Sequence, residues 1–90
     1  KMFATFTDWS MDNPEEGSKT AKAMWPDMKA VGAISMRLVK TDDSGARSVT
    51  MWPDAETAQK AIDTMRAKGA SMSGAEMIGG AMGTVLLDMD

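Results

Sequence analysis

The 90-residue chain contains no cysteine, no histidine and no tyrosine. Without cysteine there is no thiolate nucleophile and no disulfide to staple a small fold. Without histidine, Ser-His-Asp triads, histidine-shuttled proton transfer and ordinary zinc or haem-iron sites lose their usual ligands or bases. A carboxylate or lysine remains available as a base, and a hard cation could still sit on carboxylates. Positive charge is also scarce: 10 Lys and Arg face 13 Asp and Glu, a net charge of −3. That balance argues against nucleic acid, whose binding rests on neutralising phosphates, and against an anionic membrane surface. No apolar run approaches the roughly 18–20 residues of a membrane span. Lys1–Trp9 is too short and too polar for a signal-peptide core, so a cytoplasmic location is expected.

A chain of this length is expected to form one domain, residues 1–90, and to bury only between roughly 60 and 70% of its unfolded surface. A partner subunit is therefore a natural source of further burial.

Met2–Thr7 is short and β-prone, with Thr5 and Thr7 on one face and Ala4 and Phe6 on the other, and predicts strand 1. Asn13-Pro14-Glu15-Glu16 is a helix start: a capping asparagine, proline at the first helical position and acids at the positive end of the dipole. Ala21, Met24, Trp25 and Met28 then form one apolar stripe. Pro26 removes a backbone donor inside that stripe, which predicts a break or bend at Trp25-Pro26, with Gly32 as the terminator.

Ala33–Lys40 predicts strand 2, with Ile34, Met36 and Leu38 opposite Ser35 and Arg37. Thr41–Gly45 is a turn by composition, and Arg47–Trp52 predicts strand 3, hairpinned to strand 2. Asp54 opens helix 2, whose stripe runs Ala55, Ala58, Ala61, Ile62, Met65, with Gly69 as the expected stop. Ala70–Gly83 carries four glycines and reads as a loop that could lid a cleft; Thr84–Met89 predicts strand 4. The order βαββαβ is that of a ferredoxin-like α+β domain: a four-stranded antiparallel sheet with two helices on one face.

Three stretches carry a family likeness: Met28–Ala33 leading into strand 2, the Thr41–Gly45 hairpin, and Trp52–Ala58 opening helix 2. In them the chain resembles the dimeric α/β-barrel superfamily, over nearly its whole length. The resemblance implies a homodimer paired sheet to sheet, with a cleft between sheet and helices. Members include cofactor-free monooxygenases, lactone isomerases and haem-degrading enzymes. The haem-degrading branch holds iron with a histidine, which this chain lacks.

Several features invite a chemical reading. Met-Trp-Pro-Asp occurs at Met24–Asp27 and again at Met51–Asp54. The phosphatase loop of that form works with a cysteine nucleophile, so proline-shaped helix boundaries with packed tryptophans are the better account. Met72, Met77 and Met82 could offer thioethers to Cu(I), but such sites draw on Cys or His as well, and adaptable apolar filler is the simpler role. Gly74–Gly80 lacks the lysine and Ser/Thr of a phosphate loop. Asp42-Asp43-Ser44-Gly45 reads as a solvated turn. Arg37 could orient an anionic or carbonyl-bearing ligand. Phe6, Trp9, Trp25 and Trp52 could line an aromatic pocket of the kind cofactor-free monooxygenases use, or pack a core.

The candidate ligand-binding residues are thus Phe6, Trp9, Trp25, Arg37 and Trp52, with no metal, cofactor, nucleic acid or membrane expected. Three functional readings stay open. The first is a homodimer binding a small, partly apolar ligand, without catalysis. The second is a cofactor-independent monooxygenase-like or isomerase-like enzyme. The third is a structural or regulatory interaction module.

Overall fold

The computed structural model describes residues Lys1–Met89. Among them the chain forms β1 (Phe3–Ser10), α1 (Pro14–Ala30), β2 (Ser35–Asp42), β3 (Gly45–Trp52), α2 (Ala55–Ser73) and β4 (Glu76–Thr84). The strands pair antiparallel in the order β2-β3-β1-β4, and the fold is ferredoxin-like.

Both helices begin where capping chemistry places them. The Asn13 side chain accepts from the Glu16 amide at 3.2 Å, with Pro14 at the first helical position. The Asp54 carboxylate accepts from the Thr57 amide at 2.8 Å. Contrary to the expected break, α1 runs unbroken through Pro26. Pro26 and Lys22, the residue whose carbonyl lacks a donor, are both exposed, so water can satisfy that oxygen.

Three further expectations are corrected. Helix α2 does not stop at Gly69 but continues to Ser73, and Gly74 ends it in the left-handed conformation at φ 72°. At Gly69 a Cβ would lie 3.6 Å from the Trp9 ring and 3.7 Å from Met24 Sδ, ordinary contact distances, so neither a helix stop nor crowding requires glycine there. The Ala70–Gly83 segment is no loop; it is the end of α2 followed by β4. Two of its four glycines sit where neighbours come close: a Cβ on Gly79 would lie 3.2 Å from Asp8 Oδ2, and one on Gly80 only 2.9 Å from Arg66 Nη2, whereas Gly74 and Gly83 have open space. Finally, Thr84–Met89 is not a strand. Only Thr84 belongs to β4; beyond it, the Val85 amide donates to the Met2 carbonyl.

Alternation sorts the sheet into two faces. Phe3, Thr5, Thr7 and Trp9 of β1, Met36 and Leu38 of β2, and Ser48, Thr50 and Trp52 of β3 point to the helices. Ala4, Phe6, Asp8, Arg37, Val39, Arg47, Val49 and Met51 point away. The core of Phe3, Met28, Ala33, Trp52, Ala58 and Ala61 lies at one end of the helix-side layer, with Trp25, Met36, Ala55 and Met65 packed against it.

Candidate functional site

At the other end of that layer, the two helices and the sheet do not close completely. They leave a cavity of about 80 Å³. The sheet supplies Thr7, Trp9, Met36, Leu38, Ser48 and Thr50; α1 supplies Met24 and Met28; α2 supplies Ile62, Met65 and Arg66. Met24, Met28, Met36 and Met65, with the Trp9 indole, contribute soft, polarisable surface to this wall, beside Leu38 and Ile62. Hydroxyls of Thr7, Ser48 and Thr50 give it a polar seam.

Two polar groups are fixed by hydrogen bonds. Trp9 donates from Nε1 to Ser48 Oγ at 3.2 Å, which holds the indole along the wall. Arg66 donates from Nε to Thr7 Oγ1 and from Nη2 to the Phe6 carbonyl, each at 3.0 Å. The Arg66 side chain is thereby tethered to the sheet. It is half-buried, and among the described residues no carboxylate lies within ion-pairing distance of it. A guanidinium presents five N–H donors, and these two bonds use two of them.

Of the residues singled out from the sequence, Trp9 lines the cavity. Trp52 is fully buried in the core and donates from Nε1 to Thr5 Oγ1 at 2.9 Å. Trp25 is half-buried at the core's edge, with Lys29 Nζ 5.8 Å from its ring centre. Phe6 and Arg37 lie on the opposite face of the sheet, where Arg47 stands 6.0 Å from the Phe6 ring. The sequence reading passed over Arg66. Its signal was a charge inside an apolar stripe: Ile62, Met65, Arg66 and Gly69 follow i, i+3, i+4, i+7 along α2.

Three carboxylates outside the cavity have partners that favour their charged forms. A hydrogen bond from Arg47 holds Asp8 below its ordinary carboxylate range, one from Lys40 does so for Glu15, and the Thr57 amide does so for Asp54. A lowered folded-state pKa contributes stability above the unfolded value, and that stability is lost as pH falls through the folded one. The urea midpoint is therefore expected to fall between pH 6 and pH 3. Asp8→Asn, which removes one of the three, is expected to flatten that fall; an unchanged pH profile in the variant would show that the Asp8–Arg47 pair contributes nothing measurable.

By sequence, no protein-family model matches the chain and no curated protein does. Its fold, however, has close counterparts among solved structures. SnoaB, a cofactor-independent oxygenase from Streptomyces nogalater, superposes with a TM-score of 0.76 at 9% identity, covering 98% of this chain and 96% of its own. A dimeric ferredoxin-like protein from an uncultured marine organism reaches 0.65 at 14% identity, covering 98% of each chain. The de novo designed protein Foldit4 reaches 0.70 at 10% identity over 94% of this chain and 99% of its own. A designed protein scoring between the two natural ones shows that this likeness concerns the fold and not an activity.

Proposed function

We propose that the chain is a single ferredoxin-like domain, residues 1–90, that works as a cytoplasmic homodimer. In this reading, its sheet–helix cavity binds a small, partly apolar ligand carrying an anionic or strongly hydrogen-bond-accepting group. The carrying observation is Arg66, a tethered, half-buried guanidinium without a carboxylate neighbour among the described residues, set in a wall of methionine and tryptophan. A cation in low-dielectric surroundings attracts an anion more strongly than one in water. The apolar wall supplies affinity and Arg66 supplies orientation. Trp9 forms one side of the pocket; Phe6, Trp25, Arg37 and Trp52 lie outside its lining.

The test compares benzoate with benzyl alcohol, the same ring with and without the charge. Benzoate is expected to bind more tightly. Arg66→Met is expected to weaken benzoate by about tenfold to a hundredfold, the worth of a charge-assisted hydrogen bond of about 1.5–3 kcal/mol, and to leave benzyl alcohol nearly unchanged. Equal loss for both ligands would show that Arg66 matters only as a structural tether.

The second reading is a cofactor-independent monooxygenase-like or isomerase-like enzyme, a reading that the fold shared with a cofactor-independent oxygenase is compatible with. In it the same pocket holds a planar substrate against Trp9, and Arg66 orients its hydrogen-bond-accepting group. Oxygen uptake with a quinol, lost in Arg66→Met, would establish it; binding without oxygen uptake would leave the protein a binding domain.

The homodimer is supported by the bare outer face of the sheet and by the exposed apolar residues that follow β4. Leu86 is 86% exposed, Leu87 76% and Met89 78%.

A further inference from the structure

The cavity beside Arg66 is small for its proposed task. Its volume of about 80 Å³ is well below the roughly 150 Å³ of an apolar cavity that holds a benzene, and far below the roughly 300–1,000 Å³ of ordinary ligand sites. Adjoining it is a second, polar cavity of about 480 Å³, with Ser10, Asn13, Gly74 and Glu76 in its wall. The two share Met11, Gly17, Thr20 and Ser73.

Within that shared ring, Met11 has the longest and most flexible side chain. Its backbone is anchored, since the Met11 amide donates to the Ser44 carbonyl at 2.9 Å. Its thioether lies on α1 at Gly17, so closely that a Cβ on residue 17 would stand 2.6 Å from Met11 Sδ. Glycine inside a helix costs stability relative to alanine. Here its bare backbone is what gives the thioether a seat. The methionine side chain has three rotatable bonds and no branch, so it can leave that seat without moving the main chain.

We infer that Met11, seated on Gly17, is the partition between the two cavities and sets the size of ligand the site accepts. When Met11 swings away, the Arg66 cavity opens into the larger space beside it, which is itself of ordinary ligand-site size. The ligand class that fits is an elongated amphiphile: an apolar ring against Trp9, Met24 and Arg66, and a longer body extending past Met11 toward Asn13 and Ser73. This inference rests on the ligand-binding reading of the Arg66 pocket.

The test is a size series, with benzoate, 2-naphthoate and biphenyl-4-carboxylate titrated against the wild-type chain and Met11→Ala. Removing the partition is expected to tighten biphenyl-4-carboxylate by about tenfold or more and benzoate by less than about twofold. Met11→Leu, of similar volume but branched and shorter, is expected to keep the wild-type ranking. Melting curves confirm that each variant folds, as they should for a half-buried residue between elements. If Met11→Ala shifts all three probes equally or not at all, the partition is refuted, while the pocket stands as long as Arg66→Met still weakens benzoate. If neither chain binds any probe, both readings fall together.

Discussion

Trp52→Ala is expected to destabilise the domain by about 3–5 kcal/mol, the usual cost of emptying a buried aromatic site. A 90-residue domain holds only roughly 0.05–0.15 kcal/mol per residue of net stability, so this one change removes a large share of the total. Trp52 ends β3 with no exposed surface at all and contacts a core contributed by β1, α1 and α2. The loss has two parts. The cavity left by the indole is walled by Phe3, Met28, Ala58 and Ala61, which belong to regular elements and cannot collapse freely into it. The Thr5 hydroxyl, 2% exposed for the residue as a whole, also loses the donor that now reaches it at 2.9 Å. Trp52→Phe separates these parts: it retains most of the volume and removes the indole N–H, and is expected to cost less than half as much. Urea denaturation of the three chains measures both. A Trp52→Phe loss as large as that of Trp52→Ala would mean that the hydrogen bond, not packing, dominates the site.

The same residue shows how the sequence can be read and where it stops. The fold was legible because its signals are local. Asn13-Pro14 and Asp54 mark helix starts by capping chemistry, and Met36 and Leu38 alternate with Arg37 and Val39 in β2. The turn expected over Thr41–Gly45 from its composition is there, tightened to Asp43-Ser44 because the strands run on to Asp42 and from Gly45. The failures involve residues whose role depends on a distant neighbour. Gly69 looked like a helix stop because glycine usually is one, but α2 continues past it to Ser73 and packs this turn beside Trp9. Gly79 and Gly80 looked like loop residues because their close approaches to Asp8 and Arg66 exist only once β4 lies beside β1. Thr84–Met89 looked like a strand because it is apolar and β-prone, yet β1 has already paired with Glu76–Thr84. Pro26 looked like a break because a missing donor is costly in a buried helix, and the turn containing it faces solvent. For the site, aromatic residues drew attention by size, and periodicity alone could not say which face of the sheet each would occupy. The charge at Arg66 within an apolar stripe was the informative departure.

Val49→Lys is expected to convert the proposed homodimer to monomer, raising its dissociation constant by about a thousandfold or more. Val49 lies on the central strand β3 on the face away from the helices, with Phe6 beside it on β1 and Arg37 on β2. Val39 and Met51 extend the same surface, and β4 adds Gly79, Ala81 and Gly83, which keep that edge flat and allow close approach. On this face Phe6, Val39, Val49 and Met51 stand among the charges of Asp8, Arg37 and Arg47, a mixed surface of the kind a non-obligate interface uses. A cover from the chain's own Ala70–Gly83 segment is ruled out, because that segment is built into α2 and β4. Pairing with a second copy buries the patch on both subunits through one two-fold contact, and an ordinary stable interface takes about 800 Å² from each. Leu86, Leu87 and Met89, extended past the sheet, supply further apolar surface to such a contact. The two-fold axis is what makes the substitution severe. Every lysine introduced at 49 appears twice, once in each copy beside that copy's own Arg37, and burying an unpaired charge costs about 3–5 kcal/mol at each occurrence. Because Val49 is only half-buried in one protomer and β3 keeps its neighbours, the variant should still fold, which circular dichroism checks directly. Sedimentation of the wild-type chain at micromolar concentration should give twice the 9.6 kDa chain mass, and Val49→Lys should give 9.6 kDa. Chains ending at Thr84 should fall between, dimeric at high concentration and dissociating on dilution. A wild-type chain that sediments at 9.6 kDa would remove the dimer, and with it the role given to this outer face.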